Sequence, residues 1–275
     1  MNRTLKKFLK RPLNLVSLSL IVLFLIVAIL PSTFAPHSPY AMDYDAILEG
    51  PSLKHPFGTD QFGRDIFSRC IYGLQKSVII AFSSIMFASF VGTILGLTAG
   101  YYGGIWDLLI MRLCDGLFAF PSLILALFIV ALFGSNLVNL IVAIGIVYVP
   151  IFARTVRGAA LSLRETLFVK ASKVIGKSDL KIMIGDVLPN LSSVLIVTLT
   201  TNLSTAFLTE ASLGFLGLSV PPPEPTLGGL VSQGTAFLLS APWISLFPGF
   251  VIALVVLALN VLGDGLRDVL DPRNK

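Results

Sequence analysis

From Gly116 to Ala153 the chain reads GLFAFPSLILALFIVALFGSNLVNLIVAIGIVYVPIFA, 38 residues with no Lys, Arg, Asp, Glu or His. A helix needs about 20 apolar residues to cross a bilayer, so this run is too long for one span. Gly134-Ser135-Asn136 lies in its middle, and Gly and Asn favour turns. The run therefore reads as two spans joined by a tight turn. Working outward, uncharged runs recur at Ser77–Trp106, Val187–Thr209 and Pro12–Pro36, and at Pro225–Gly263, whose apolar part begins near Trp243. The expectation is six membrane spans, at roughly 13–34, 78–102, 115–133, 137–153, 191–212 and 243–263. The first is too long for the h-region of a signal peptide and has no small-x-small cleavage site after it, so it is expected to stay as a helix.

Composition supports this reading. Of 275 residues, 55% are hydrophobic and 13% charged, against about 25% charged in soluble domains, and mean hydropathy is +0.88. That excludes a soluble globule, and disordered chains are poor in apolar residues. Cys70 and Cys114 lie far apart and form no metal or disulfide framework. The net charge of +5 belongs to loops rather than to a nucleic-acid surface; no nucleic-acid-binding motif is present. With the N-terminus inside, Arg3, Lys6, Lys7, Lys10, Arg11, Arg112, Arg154, Arg157, Arg164, Lys170, Lys173, Lys177, Lys181, Arg267, Arg273 and Lys275 fall inside. Only Lys54, Arg64, Arg69 and Lys76 fall outside. The positive-inside rule then places both termini in the cytoplasm.

Between the spans, residues 61–76 carry apolar side chains at helical spacing, with Asp65 and Arg69 at i, i+4. An amphipathic helix at the membrane interface is expected within the outer loop 35–77. Residues 154–190 read as a cytoplasmic helix–turn–helix: one helix from Ser162 to Ile175, a break at Gly176, and a second helix capped by Ser178-Asp179 and running to Leu188. Its seven basic residues fit either anchoring to anionic lipid or docking of a cytoplasmic partner. Glu210, near the outer end of the fifth span, either faces a cavity, finds a partner, or sits at the interface with its carboxylate in water. There is no GxxxxGK[ST], HExxH or GxSxG, so nucleotide binding by a P-loop and catalysis are not expected. His37 and His55, two lone histidines in the outer loop, read as incidental.

Several strings resemble a known family. Phe168-Val169-Lys170-Ala171-Ser172, then Gly176 with Lys177-Ser178-Asp179, then Val187-Leu188-Pro189-Asn190, is similar to the EAA loop of ABC importer permeases. His55-Pro-Phe-Gly58-Thr59-Asp60-Gln-Phe-Gly63-Arg64-Asp65-Ile-Phe-Ser68-Arg69 resembles the outer signature of the dipeptide/oligopeptide/nickel permease family, in its second, C-type subunit. Asp115–Leu123, Ala153–Arg157, Glu210–Leu218, and Asn260–Arg267 with Asp271–Arg273 resemble further parts of that family, in order along the chain. Where the family carries Glu, this chain has Lys170, which implies an acidic partner near it.

The resemblance implies an all-α polytopic fold of the type I ABC importer permease (MetI-like) kind, in a bacterial or archaeal cytoplasmic membrane. It implies a cytoplasmic tail 1–12, a permease core 78–263 and a C-terminal tail 264–275. It implies three kinds of partner besides the bilayer: a homologous permease, two ATPases that bind ATP and Mg, and a solute-binding protein. Segment 154–190 would be the coupling element, and Glu210 the candidate group lining the path. Cargo would be small peptides or nickel and metal chelates. The short N-terminal tail and the missing Glu lean toward the nickel type. The rival classes are a secondary transporter or channel uncoupled from ATP, and a non-transporting scaffold.

Overall fold

The computed structural model describes residues 11–270. Among these, no β-strand forms; a single antiparallel bridge joins Thr59 and Asp65. Helix α1 (Pro12–Ile29) starts on a proline, whose missing N–H is harmless at a first turn, and is followed by one further turn at Pro31–Phe34. Helix α2 (Ile66–Tyr102) is followed by α3 (Gly104–Phe118), α4 (Ser122–Phe133) and α5 (Leu137–Arg164). The short α6 (Leu167–Val174) and α7 (Asp179–Ile182) lead through a π-turn, Met183–Val187, toward α8 (Ser192–Phe215). A small α9 (Leu227–Gly234) precedes α10 (Trp243–Leu270). Five helices, α1, α2, α5, α8 and α10, are each long and apolar enough to span a membrane. The pair α3–α4, bent by 89° at the break between its helices, is together apolar enough to count as a sixth span if it crosses as a broken span and not as a re-entrant loop.

Three expectations about local structure change. The amphipathic helix expected at 61–76 is the first part of α2, which runs on unbroken for 37 residues. The third span is not a straight helix from 115 to 133: Pro121 has no N–H to continue α3, and the chain turns at Ala119–Pro121. The expected Asp65–Arg69 pairing does not form. Asp65 instead caps α2, accepting from the Ser68 N–H at 2.7 Å, and Arg69 turns to Asp60 and to the Pro39 carbonyl.

Helix α5 is the central post, with 56% of its apolar window buried against 17–33% in the other single-helix spans. It lies along α2, where Gly92, Gly96 and Gly100 form one helical face. A Cβ on Gly92 would lie 2.5 Å from the Phe152 Cβ, and one on Gly96 would lie 2.5 Å from the Ala153 carbonyl oxygen. These glycines serve close packing, as such stripes do in membrane helices. At one end of the bundle Arg11 pairs with Asp268 and Gly265 abuts Asn14. At the other, Gln75 donates to the Ala28 carbonyl at 2.9 Å. Both ends of the described chain thus share a face with the C-terminal ends of α2 and α5 and with segment 165–191. Loop 35–65 and the proline segment 221–225 occupy the opposite face.

Candidate functional site

On the face with the chain ends, residues 165–191 form a short protruding unit. Helix α6 ends in a Schellman motif: Gly176, at φ +79°, gives its N–H to the Lys173 carbonyl at 3.0 Å, and Lys177 reaches Ser172 at 3.1 Å. A Cβ on Gly176 would meet nothing within 4 Å, so glycine is needed there for its backbone conformation and not for space. Pro189 cannot donate, and its ring would crowd the carbonyl four residues back. The chain widens into the π-turn just before it, and Asn190 Nδ2 takes the Asp186 carbonyl at 2.7 Å.

The unit is fastened to the bundle by apolar and polar contacts. Val169, Ile182, Val187 and Leu191 are buried against Leu97, Tyr101, Val156 and Ala160. Tyr101 at the end of α2 donates to Asp179 Oδ1 at 2.7 Å, and Lys173 lies over the Tyr101 ring at 4.9 Å. Lys177 pairs with Asp186 at 2.6 Å; this ammonium, with Ser172, holds the Asp186 carboxyl below the usual carboxylate range. Lys170 does have an acidic neighbour, but within the chain: Glu165, at 3.0 Å. Lys170 and then Arg164 lower the pKa of Glu165.

The outward side of this unit is apolar. Leu167, Val174 and Ile175 are 86%, 87% and 79% exposed, and Leu180 and Ile184 are exposed too. Around them stand Lys170, Ala171, Lys173, Gly176, Ser178 and Lys181, while Leu188 is half-buried and Pro189 exposed. An exposed apolar patch of this kind marks a surface for interaction with a protein or a membrane. The sequence missed Leu167, Val174 and Leu180 as contact groups, although their apolar character at the turn was a usable signal.

In the bundle, the α3–α4 bend opens a cavity of about 410 Å³ against α5 and α8, with walls that include Phe118, Phe120, Tyr148, Asn202 and Thr205. Tyr148 and Thr209 share a hydrogen bond of 3.1 Å beside it. No lining residue is ionisable apart from the Tyr148 phenol. The bent pair is pinned to α5 by two ion pairs: Arg157 grips both oxygens of Asp107, and Arg154 reaches Asp115 at 2.6 Å while covering the Phe118 ring. Glu210 does not line this cavity. It is fully buried, accepts from Ser219 Oγ at 3.2 Å, and lies one residue before Ala211, against which Gly228 of α9 packs. Its hydrogen bond with Ser219 joins the end of α8 to the loop that follows. The cavity's own residues carried no sequence signal, being ordinary apolar and small polar side chains.

On the opposite face the outer-signature residues collapse into one buried knot. Asp60 accepts from the Phe62 and Arg64 N–H groups at 2.8 and 3.0 Å and from Arg64 Nε at 2.6 Å, with Arg69 Nε 3.9 Å away. Thr59 donates its hydroxyl to the Ala46 carbonyl, and its own carbonyl accepts from Trp243 Nε1 at 3.1 Å. Gly58 and Gly63 have φ of +74° and +70°, and a Cβ on Gly63 would overlap the Asp43 carbonyl. Ser68 Oγ accepts from the His37 N–H at 3.1 Å. The knot locks loop 35–65 onto the start of α2 and the start of α10.

Comparison with known proteins agrees with this architecture. Residues 92–275 match the family model described as binding-protein-dependent transport system inner membrane component, and residues 1–51 match the N-terminal TM domain of oligopeptide transport permease C. The chain is 46% identical over 270 residues to the dipeptide transport system permease protein DppC of Alkalihalophilus pseudofirmus, covering 98% of this chain and 89% of that protein. It is 42% identical over 271 residues to the glutathione transport system permease protein GsiD of Escherichia coli O6:K15:H31, with the same coverage. A solved structure, the MetNI methionine ABC transporter in inward-facing conformations, superposes with a TM-score of 0.59 at 21% identity, over 73% of this chain and 96% of that one. That match speaks for the fold alone. The lean toward nickel and metal-chelate cargo is not supported: these relatives are a dipeptide and a glutathione permease. A short tail and one substituted loop residue were too weak a basis for it.

Proposed function

The chain belongs to the family of binding-protein-dependent transport system inner membrane components, and we propose that it serves as the C-type permease subunit of an ABC importer for short peptides. The family makes it a multi-pass inner-membrane permease whose transport depends on ATPase and solute-binding partners. The named activities of its relatives, dipeptide and glutathione transport, support a peptide of two or three residues as cargo. The uncharged but hydrogen-bonding wall of Tyr148, Asn202 and Thr205 fits a zwitterion that must pass without being held. A cavity with no acid, base or histidine offers no proton relay, which counts against a secondary transporter.

The observation that carries the reading is the protruding unit 165–191 with its exposed apolar tip. Its proposed occupant is a groove on an ATPase, which makes the face with the chain ends cytoplasmic, in line with the distribution of Lys and Arg. A homologous permease would complete the path beside the α3–α4 bend. Nucleotide then drives transport by binding one arrangement of the two ATPases better than the other, and the docked tips move both bundles with them. ATP and Mg belong to those partners in this reading.

The test is purification of the assembled complex with single cysteines at Ile175 of this chain and along the ATPase groove. Crosslinking that blocks peptide-stimulated ATP hydrolysis, and its reversal by reductant, is the expected result. Uptake assays with labelled dipeptides and glutathione then separate the cargo classes. Peptide uptake that continues after removal of the ATPases would overturn the proposal.

A further inference from the structure

Two histidines that look unrelated in sequence meet at the membrane-distal face. The His37 and His55 rings lie with centroids 5.0 Å apart and planes tilted by 38°. With Asp65 they form a group in which each residue offers one ligand atom, all within 4.8 Å of one another. The hydrogen bonds behind the rings settle which nitrogens are free. His37 Nε2 lies 3.1 Å from the Lys54 carbonyl oxygen; a carbonyl only accepts, so Nε2 carries the proton and Nδ1 keeps its lone pair. His55 Nδ1 lies 3.0 Å from Asp65 Oδ1; the carboxylate accepts, so Nε2 keeps its lone pair. Asp65 is itself fixed, because its other oxygen caps α2 through the Ser68 N–H.

This is the arrangement by which proteins orient metal-binding imidazoles: a carbonyl or carboxylate behind each ring sets its tautomer and leaves one nitrogen facing forward. A second observation points the same way. His55 is 3% exposed, and its Nε2 is buried without any hydrogen-bond partner. Buried polar atoms are rarely left so, and a cation would satisfy this one. The histidines open on a cavity of about 350 Å³ whose walls also include Asp43 and Asp45. Asp43 is engaged by Lys54 at 2.7 Å, which leaves Asp45 or water to complete a coordination shell. His37 is held in place from its backbone as well, through Ser68 Oγ.

We propose that His37 and His55 bind a divalent transition-metal ion of the zinc class, with Asp65 as the residue that orients His55. Imidazole nitrogens suit such an ion at about 2.0–2.1 Å. The ion ties the segment just after the first span to loop 35–65 and to the first turn of α2. It is a staple of the membrane-distal face, separate from any cargo.

The test uses the full-length, untagged chain in its assembled complex, stripped with a chelator and titrated with zinc against a chromophoric competitor. One zinc per copy of this chain is expected, with affinity falling about tenfold or more in His37→Gln and in His55→Gln. Cobalt in place of zinc should give visible ligand-field bands that both variants lose. His37 is only half-buried, so His37→Gln keeps the fold; it should match the wild-type melting temperature without metal and lack the rise that zinc produces. Absence of stoichiometric binding, or binding that both variants leave unchanged, would overturn the proposal.

Discussion

The Tyr101 phenol donates to Asp179 Oδ1 at 2.7 Å, so that the last residues of one membrane span hold the first turn of the protruding helix. The bond joins residues 78 positions apart, and with Lys173 over the same ring it is a polar strut between bundle and tip. Motion at the tip therefore has a direct path into α2.

Removing only the hydroxyl, in Tyr101→Phe, keeps the ring and its packing. A hydrogen bond to a charged group contributes about 1.5–3 kcal/mol, so the docked arrangement of residues 179–190 should lose roughly tenfold in population or more. Amide hydrogen exchange over that segment should quicken accordingly. The assembled complex should hydrolyse more ATP per peptide moved. Unchanged exchange and unchanged coupling would show that the apolar contacts of Val169, Ile182 and Val187 hold the unit alone.

The glycine face of α2 gives a paired stability experiment. Gly96→Ala places a Cβ 2.5 Å from the Ala153 carbonyl and 2.8 Å from the Val156 Cβ, and such overpacking costs about 1–3 kcal/mol. Gly116→Ala meets nothing within 4 Å in a helical backbone, and should be neutral or stabilising by about 0.5–1 kcal/mol. Thermal unfolding in one detergent should therefore move in opposite directions, or move only for Gly96→Ala.

The bent span depends on the Asp107–Arg157 pair, in which both carboxylate oxygens are gripped. Asp107→Asn leaves the guanidinium facing a neutral amide and should cost about 2 kcal/mol, the worth of a charged hydrogen bond. Peptide uptake should fall with it. Reversing the pair, Asp107→Arg with Arg157→Asp, should recover part of the lost uptake, whereas either reversal alone should abolish it. Equal loss in the double variant would mean that each residue acts through other partners.

A pH effect is expected at the proline segment. The Lys76 ammonium, 2.9 Å from Glu224, and then the Tyr40 hydroxyl hold the Glu224 carboxyl below the ordinary range. A carboxyl depressed in the folded state adds stability that is present above its unfolded pKa, about 4.3, and lost as pH falls through the lower folded value. Melting temperature measured from neutral pH downward should therefore drop on the acid side in the wild type. Glu224→Gln should start lower and show a shallower acid drop.

How far the site could be read in advance differs residue by residue. Gly176 was readable, because a glycine between two helical periodicities has few other uses and its φ of +79° bears that out. Lys170 was expected to have an acidic partner near it; the structure supplies Glu165, five residues earlier, which comes close only because α5 stops at Arg164 and α6 restarts at Leu167. Glu210 could not be placed, since one ionisable residue near a span end gives no direction until Ser219 and α9 are folded over it. His37 and His55 looked incidental for the same reason.

The sequence by itself determined the five spans that are single helices, the division of basic residues between two faces, and the short protruding segment; the sharp turn at Pro121 within the third run it did not show. Hydropathy, charge and turn-forming residues act locally, so each is legible where it stands. Tertiary structure alone decided that Asp60 gathers Arg64 and Arg69, that Asp107 and Arg157 fasten a helix bent by 89°, and that two histidines converge on one cavity. Apart from Asp60 and Arg64, four residues apart in one loop, those relationships join residues from separate elements. The partner of a buried charge or an imidazole is set by which helices the packing of α2 on α5 brings together, and no pattern along the chain encodes that meeting.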